Sequence, residues 1–101
     1  MLGFPCNQFG EQEPGSDQEI LEFVTTEFEI DFPMFSKIEV NGDGAADLYK
    51  WLKSEQPGDG DSADITWNFE KFLIDRSGSA VARWSPLGTP EDVGSELTQY
   101  L

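Results

Sequence analysis

Apolar residues recur at helical spacing three times along the chain. Ile20, Val24 and Phe28 stand at i, i+4 and i+8 with Leu21 beside them, which predicts one apolar helix face. Ser16 precedes this stripe and Glu19 follows it by three positions. That pair reads as a capping box, in which two backbone N–H groups left over at the helix start find partners. Phe32-Pro33 is expected to end the helix, since proline cannot continue it. Ala45, Leu48, Tyr49 and Leu52 form a second stripe, with Lys50 and Lys53 expected in the last turn, where the helix dipole favours cations. Val93, Leu97 and Tyr100 form the inner stripe of a third helix. Thr89 is its cap, Pro90 its first residue, and Glu91 and Asp92 lie in its first turn.

Between the helices the pattern changes. Residues 1–4 are apolar and stopped by Pro5, which suits the end of a buried strand. Residues 35–40 read as a short strand, and Asn41-Gly42-Asp43-Gly44 as a turn. The strongest strand signal is residues 68–75, with Phe69, Phe72, Leu73 and Ile74. Arg76-Ser77-Gly78 turns the chain, and residues 80–84 return as the second arm of a hairpin. Residues 7–15 and 56–64 are polar loops punctuated by glycine and proline. The order strand end, helix, strand, helix, hairpin, helix predicts an α/β sandwich with a mixed sheet.

Composition narrows the functions open to this fold. The chain has 101 residues, the size of one domain, and 13% aromatics argue against disorder. Twenty acids against six bases give a net charge of −14. Nucleic acid and anionic membranes would be repelled, so neither is expected as a partner. A generally acidic proteome explains the charge without a special acidic function. Cys6 is the single cysteine and there is no histidine. An internal disulfide, a Cys/His zinc site and a Ser-His or Cys-His catalytic pair are therefore all excluded for this chain alone. No apolar run approaches the ~20 residues of a membrane span. A soluble, cytoplasmic protein is the default expectation.

One acidic loop invites a calcium reading. Asp59, Asp61 and Glu70 fall at positions 1, 3 and 12 of an EF-hand loop. Ala63 at position 5 and Asp64 at position 6, where glycine is required, break the pattern, and a strand follows instead of a helix. No metal site is expected.

Three blocks of sequence carry more specific information. The first is Leu2-Gly3-Phe4-Pro5-Cys6-Asn7-Gln8-Phe9, continuing through Gly10, Gln12, Glu13, Pro14 and Gly15. The second is Phe35-Ser36-Lys37-Ile38 with Val40-Asn41-Gly42, and the third is Trp67-Asn68-Phe69-Glu70-Lys71-Phe72-Leu73-Ile74-Asp75. In this order they resemble the glutathione peroxidase family over the whole chain. The resemblance implies a thioredoxin-like fold, with residues 1–101 as one N-terminally truncated domain lacking the first strand–helix unit. It also implies thiol-dependent reduction of hydrogen peroxide or organic hydroperoxides, in the response to oxidative stress. A thiolate or selenolate attacks the peroxide, and thiols then restore it. The thiolate is the nucleophile, so donors that stabilise the anion matter. A Gln, a Trp and an Asn serve this purpose in the family, and the matching positions are Gln12, Trp67 and Asn68. Their ordinary readings are a loop residue, a core aromatic and a loop cap.

The same resemblance places the nucleophile upstream of Met1, on a strand–helix unit before the first block. Cys6, beside Phe4 and Pro5, reads as a buried, inert cysteine. Without the upstream strand, unpaired edges and an unstable or molten chain are expected. A selenocysteine codon read as a stop would explain a start at Met1, and the DNA upstream tests this. The position of the family's second, resolving cysteine matches Thr25, so glutathione or another small thiol is the expected co-substrate, with no further cofactor. The short loop at residues 56–64 resembles the monomeric, phospholipid-hydroperoxide type. Its Gly58-Asp59-Gly60-Asp61, and Thr66, replace expected lysines and disfavour anionic glutathione and lipid head groups. The competing expectation is a non-catalytic, acidic thioredoxin-like interaction domain or a truncated relic.

Overall fold

A computed structural model describes residues 1–58 and 63–100. They form two compact units, Met1–Ala46 and Asp47–Leu101.

In the first unit, helix α1 (Asp17–Phe28) starts as its sequence requires. Glu19 N–H donates to Ser16 Oγ at 3.2 Å, and Ser16 N–H donates to the Glu19 carboxylate at 3.3 Å. Lys37 N–H donates to Asp17 Oδ1 at 2.7 Å, and Lys37 Nζ donates to Gly15 O, which ties the second sequence block to the helix start. Ile20 is buried and Val24 half-buried, but Leu21 and Phe28 are exposed. The helix stops at Phe28, four residues before the expected Phe32-Pro33 stop. Glu29 closes it from the left-handed region, φ 52°. A left-handed cap is usually glycine or asparagine, so glutamate gave no warning.

The two strands expected at residues 1–4 and 35–40 reduce to one parallel bridge, Gly3 with Met34. Gly3 N–H donates to Pro33 O at 2.9 Å, Phe35 N–H to Gly3 O at 2.8 Å, and Ile38 N–H to Pro5 O at 2.9 Å. Pro5 and Pro33 have no N–H, so neither segment can extend the ladder. Met1 and Leu2 are exposed, not buried as a strand end would be. A Cβ at Gly3 would displace the Met34 thioether that packs over the bridge. The core of this unit is Cys6, Phe9, Ile20, Val40 and Ala45, with Phe4 stacked on Phe35 at 4.8 Å.

In the second unit, helix α2 (Asp47–Glu55) buries Leu52. Lys53 lies in its last turn, whereas Lys50 sits one turn earlier than expected. Strands β1 (Lys71–Ile74) and β2 (Ala80–Trp84) form an antiparallel hairpin, with Phe72 opposite Arg83 and an irregularity between Leu73 and Ile74. Asp75 organises the turn. Its Oδ1 accepts from Ser77 N–H at 2.9 Å, Ser77 Oγ at 2.6 Å and Ser79 N–H at 3.0 Å. Tyr49 of α2 meets Phe72 edge-on, with ring centroids 6.0 Å apart.

β1 begins at Lys71 rather than Asn68. Residues 67–69 turn instead, with Phe69 at φ 69° and 81% exposed. Helix α3 (Pro90–Leu97) opens with the expected Thr89 cap, here a full capping box with Asp92, and a 3-10 turn follows at Thr98–Tyr100. Val93, Leu97 and Tyr100 are its half-buried stripe.

The described residues thus hold helices, a parallel bridge and an antiparallel hairpin. Among them no large side chain is fully enclosed, and no helix is long and apolar enough to cross a membrane.

Candidate active site

Gln12 stands on the loop that leads from the first block into α1. Gly10 and Glu11 are both left-handed, at φ 68° and 52°, so the chain doubles back before Gln12. Three anchors hold the loop. Phe9 is buried beneath it. Glu13 N–H donates to Asn7 Oδ1 at 2.9 Å and closes the loop across its base. Gln8 then clamps it to the second block. Gln8 Oε1 accepts from Val40 N–H at 2.7 Å and Asn41 N–H at 3.2 Å, and Nε2 donates to Asn41 O at 3.1 Å. One amide side chain here does the work of a short strand pairing. Gln12 itself is exposed. A cleft of about 290 Å³, lined by Asn7, Gln8, Lys37, Ile38 and Glu39, lies against the clamp and does not include Gln12.

Cys6 is buried as expected. Its Sγ is 3.5 Å from Gln8 Oε1 and accepts from Gln8 N–H at 3.5 Å.

Trp67 and Asn68 share the turn between buried Ile65 and β1. Trp67 is 47% exposed. Asn68 is half-buried beside it. A phenylalanine held left-handed at position 69 costs about 1–3 kcal/mol, so the surroundings must fix it. Glu70 does so from the far side of the turn. Its Oε1 accepts from both Thr66 N–H and Thr66 Oγ1 at 2.9 Å. Its Oε2 accepts from Arg83 Nε at 2.7 Å and forms an ion pair with Nη2 at 2.7 Å. Arg83 Nη1 donates to Gln56 O at 2.9 Å and Ala63 O at 3.0 Å, and Nη2 donates to Asp64 O at 3.0 Å. Arg83 Cζ also stands 5.2 Å from the Phe72 ring centroid. The two side chains are only 8% and 3% exposed.

The sequence does not announce the charged pair, since Glu70 figures there only in the third block and in the calcium reading. Its oxygens instead accept three hydrogen bonds from Arg83 and Thr66 and pair with the guanidinium charge. Asp59 and Asp61 lie outside the described residues, among which no group of three acidic or cysteine side chains could hold a metal. The structure therefore brings Trp67 and Asn68 onto one turn, while Gln12 belongs to the other unit. Amide and indole N–H groups on fixed turns are suited to stabilising an anion.

The family model for glutathione peroxidase matches residues 1–53, more than half of the chain. The chain belongs to the glutathione peroxidase family. A probable phospholipid hydroperoxide glutathione peroxidase of Nicotiana sylvestris is 52% identical over 102 residues, covering all of this chain and 59% of that protein. A hydroperoxy fatty acid reductase of Synechocystis sp. is 44% identical over 106 residues, covering all of this chain and 63% of that protein. The crystal structure of Trgpx in apo form superposes with a TM-score of 0.77 at 42% identity, covering 98% of this chain and 55% of that one. The thioredoxin-like α/β fold implied by the sequence is therefore present in part, and the chain spans about 59% of the length of the tobacco relative.

Proposed function

We propose that this chain supplies the anion-stabilising part of a thiol-dependent peroxidase, with Gln12, Trp67 and Asn68 as the donors. The observation that carries the reading is the Trp67–Asn68 turn. Trp67 and Asn68 stand side by side on a turn that Glu70 fastens to Thr66 and Arg83. The nucleophile of this reading is a Cys or Sec thiolate or selenolate outside residues 1–101. It attacks the terminal peroxide oxygen, the O–O bond breaks, and the departing alkoxide takes a proton to leave as alcohol or water. The sulfenic or selenenic acid so formed is reduced by two thiols, giving a disulfide and water. Glutathione is one such thiol, and no further cofactor enters the cycle. The names of the relatives point to lipid hydroperoxides. The net charge of −14 favours hydrogen peroxide and small organic hydroperoxides over those held in anionic membranes. The protein acts as a monomer in this reading, since the segment joining α2 to β1 is short.

The test is peroxide consumption by the intact protein in the presence of thiol. Trp67→Phe, Asn68→Ala and Gln12→Ala should each lower kcat/KM for peroxide, by about 10²–10³-fold for a donor that faces the developing charge. Full activity in all three variants would remove them from the site. No thiol-dependent consumption by the unsubstituted protein returns the non-catalytic interaction domain as the better reading.

A further inference from the structure

Arg83 is engaged by protein acceptors at all three of its nitrogens. A guanidinium carries five N–H donors. Here Nε donates to Glu70 Oε2, Nη1 donates to Gln56 O and Ala63 O, and Nη2 donates to Asp64 O while standing 2.7 Å from the same Glu70 oxygen as an ion pair. An arginine that recognises a substrate carboxylate needs two free donors side by side. We infer that the Glu70–Arg83 pair is the positioning element of the Trp67–Asn68 turn, not a receptor for an anionic thiol. The kinetic part of this inference rests on the proposed peroxidase reading, and the structural part does not.

The path from Arg83 to the turn is short. Arg83 stands opposite Phe72 in the hairpin register, and Glu70 is two residues before Phe72 on the same strand side. The pair is therefore a diagonal cross-strand contact that continues the ladder beyond the first paired residue, Lys71. Glu70 carries the connection across the turn to Thr66, the residue before Trp67. The same guanidinium holds the carbonyls of residues 56, 63 and 64, which lead into the turn. Phe69 keeps its left-handed conformation only if its neighbours impose it. The hairpin helps to impose it through this pair, beside the Lys71 Nζ donation to Phe69 O.

The test uses the intact protein, nitrogen-15 labelled, with the Trp67 indole signal assigned by its loss in Trp67→Phe. Arg83→Lys keeps the charge but cannot supply five donors in a plane. Glu70→Gln keeps the shape but not the charge. Thr66→Val removes a single hydroxyl bond at an exposed position, so it keeps the test open if the buried variants lose the fold. In Arg83→Lys and Glu70→Gln the order parameter of the Trp67 indole N–H should fall from about 0.85 to below about 0.6, with α3 unchanged. Thr66→Val should move it in the same direction by less. In steady-state kinetics Arg83→Lys should lower kcat/KM for peroxide about ten- to hundredfold, as small misplacements of catalytic groups do, and leave kcat/KM for thiol within about twofold. An unchanged Trp67 order parameter in Thr66→Val and in whichever buried variant folds overturns the inference. So does a selective rise in the thiol KM of Arg83→Lys, the mark of an anion receptor. An inactive unsubstituted protein sinks the peroxidase reading alone, and the order parameters then decide the positioning role by themselves.

Discussion

The two loops expected to carry donors are fastened by different chemistry. The Gln12 loop is held by a neutral amide, Gln8, bonded to the backbone of Val40 and Asn41. The Trp67–Asn68 turn is held by a buried ion pair, Glu70 with Arg83. An amide costs little to desolvate when its bonds are made, and its loss leaves a few backbone groups that water can reach. A buried charge is costly once its partner is gone. The second clamp is therefore the more brittle one. The difference also bears on function. The amide fastens a loop whose donor is exposed, whereas the ion pair enforces a strained backbone at Phe69.

The sharpest way to break this comparison is to remove one charge. Arg83→Met leaves Glu70 buried without a counter-ion, and should destabilise the fold by about 3–5 kcal/mol in denaturant unfolding. Adding Glu70→Gln to that variant should restore part of the loss, because the stranded charge is then removed. If the double variant is as unstable as the single one, packing of the arginine and not its charge holds the turn. Gln8→Ala should cost less, about 1–3 kcal/mol, through the unsatisfied Val40 and Asn41 groups. An equal cost for the two clamps would erase the contrast drawn between them.

The helix caps come next in size. Ser16→Ala and Thr89→Ala each remove a side-chain acceptor from a capping box, at about 1 kcal/mol apiece. They lie in separate units and share no partners, so the double variant should show the sum in a thermal or denaturant melt. A clear departure from additivity would show that the units do not respond independently.

These caps were also the most legible part of the sequence. A capping box is a local signal, complete within four residues, and both helix starts fell where Ser16 and Thr89 placed them. The hairpin was legible for the same reason, from Arg76-Ser77-Gly78 between two apolar runs. The two short strands of the first unit failed because apolar character was counted while the missing N–H groups of Pro5 and Pro33 were not. The start of β1 was misplaced because Phe69 has the composition of a strand residue, and nothing in its type announces a left-handed backbone. Gln12, Trp67 and Asn68 were found through family resemblance, since spacing alone gave each an ordinary reading. The ion pair was missed because its partners are thirteen residues apart. A signal did exist. Arg83 and Glu70 are opposite charges embedded in two apolar strands, at a spacing that the hairpin turn brings to a cross-strand diagonal.

The smallest effect concerns the hairpin turn and can be read by acid titration. The Ser77 hydroxyl bonded to Asp75, followed by the Ser79 N–H, holds the Asp75 carboxyl below its ordinary value of 3.8. The Ser16 N–H, followed by the Ser16 hydroxyl, likewise holds Glu19 below 4.5. A carboxyl whose folded value is lowered binds its proton more weakly folded than unfolded. Its stabilising contribution is complete above the unfolded value and is lost as the pH falls through the folded one. Glu19 is exposed and Asp75 half-buried on a surface turn, so solvent keeps each contribution small. The hairpin should hold its amide protection above the ordinary carboxylate range and lose some of it below pH 3.8, and Asp75→Asn should remove the Asp75 share of that loss. A carbon-detected titration of Asp75 gives the direct check. A midpoint at or above 3.8 would mean that the three bonds to Ser77 and Ser79 do not persist in solution. The turn would then be held by its backbone bonds, Asp75 N–H to Ser79 O at 2.9 Å and Gly78 N–H to Asp75 O at 3.1 Å.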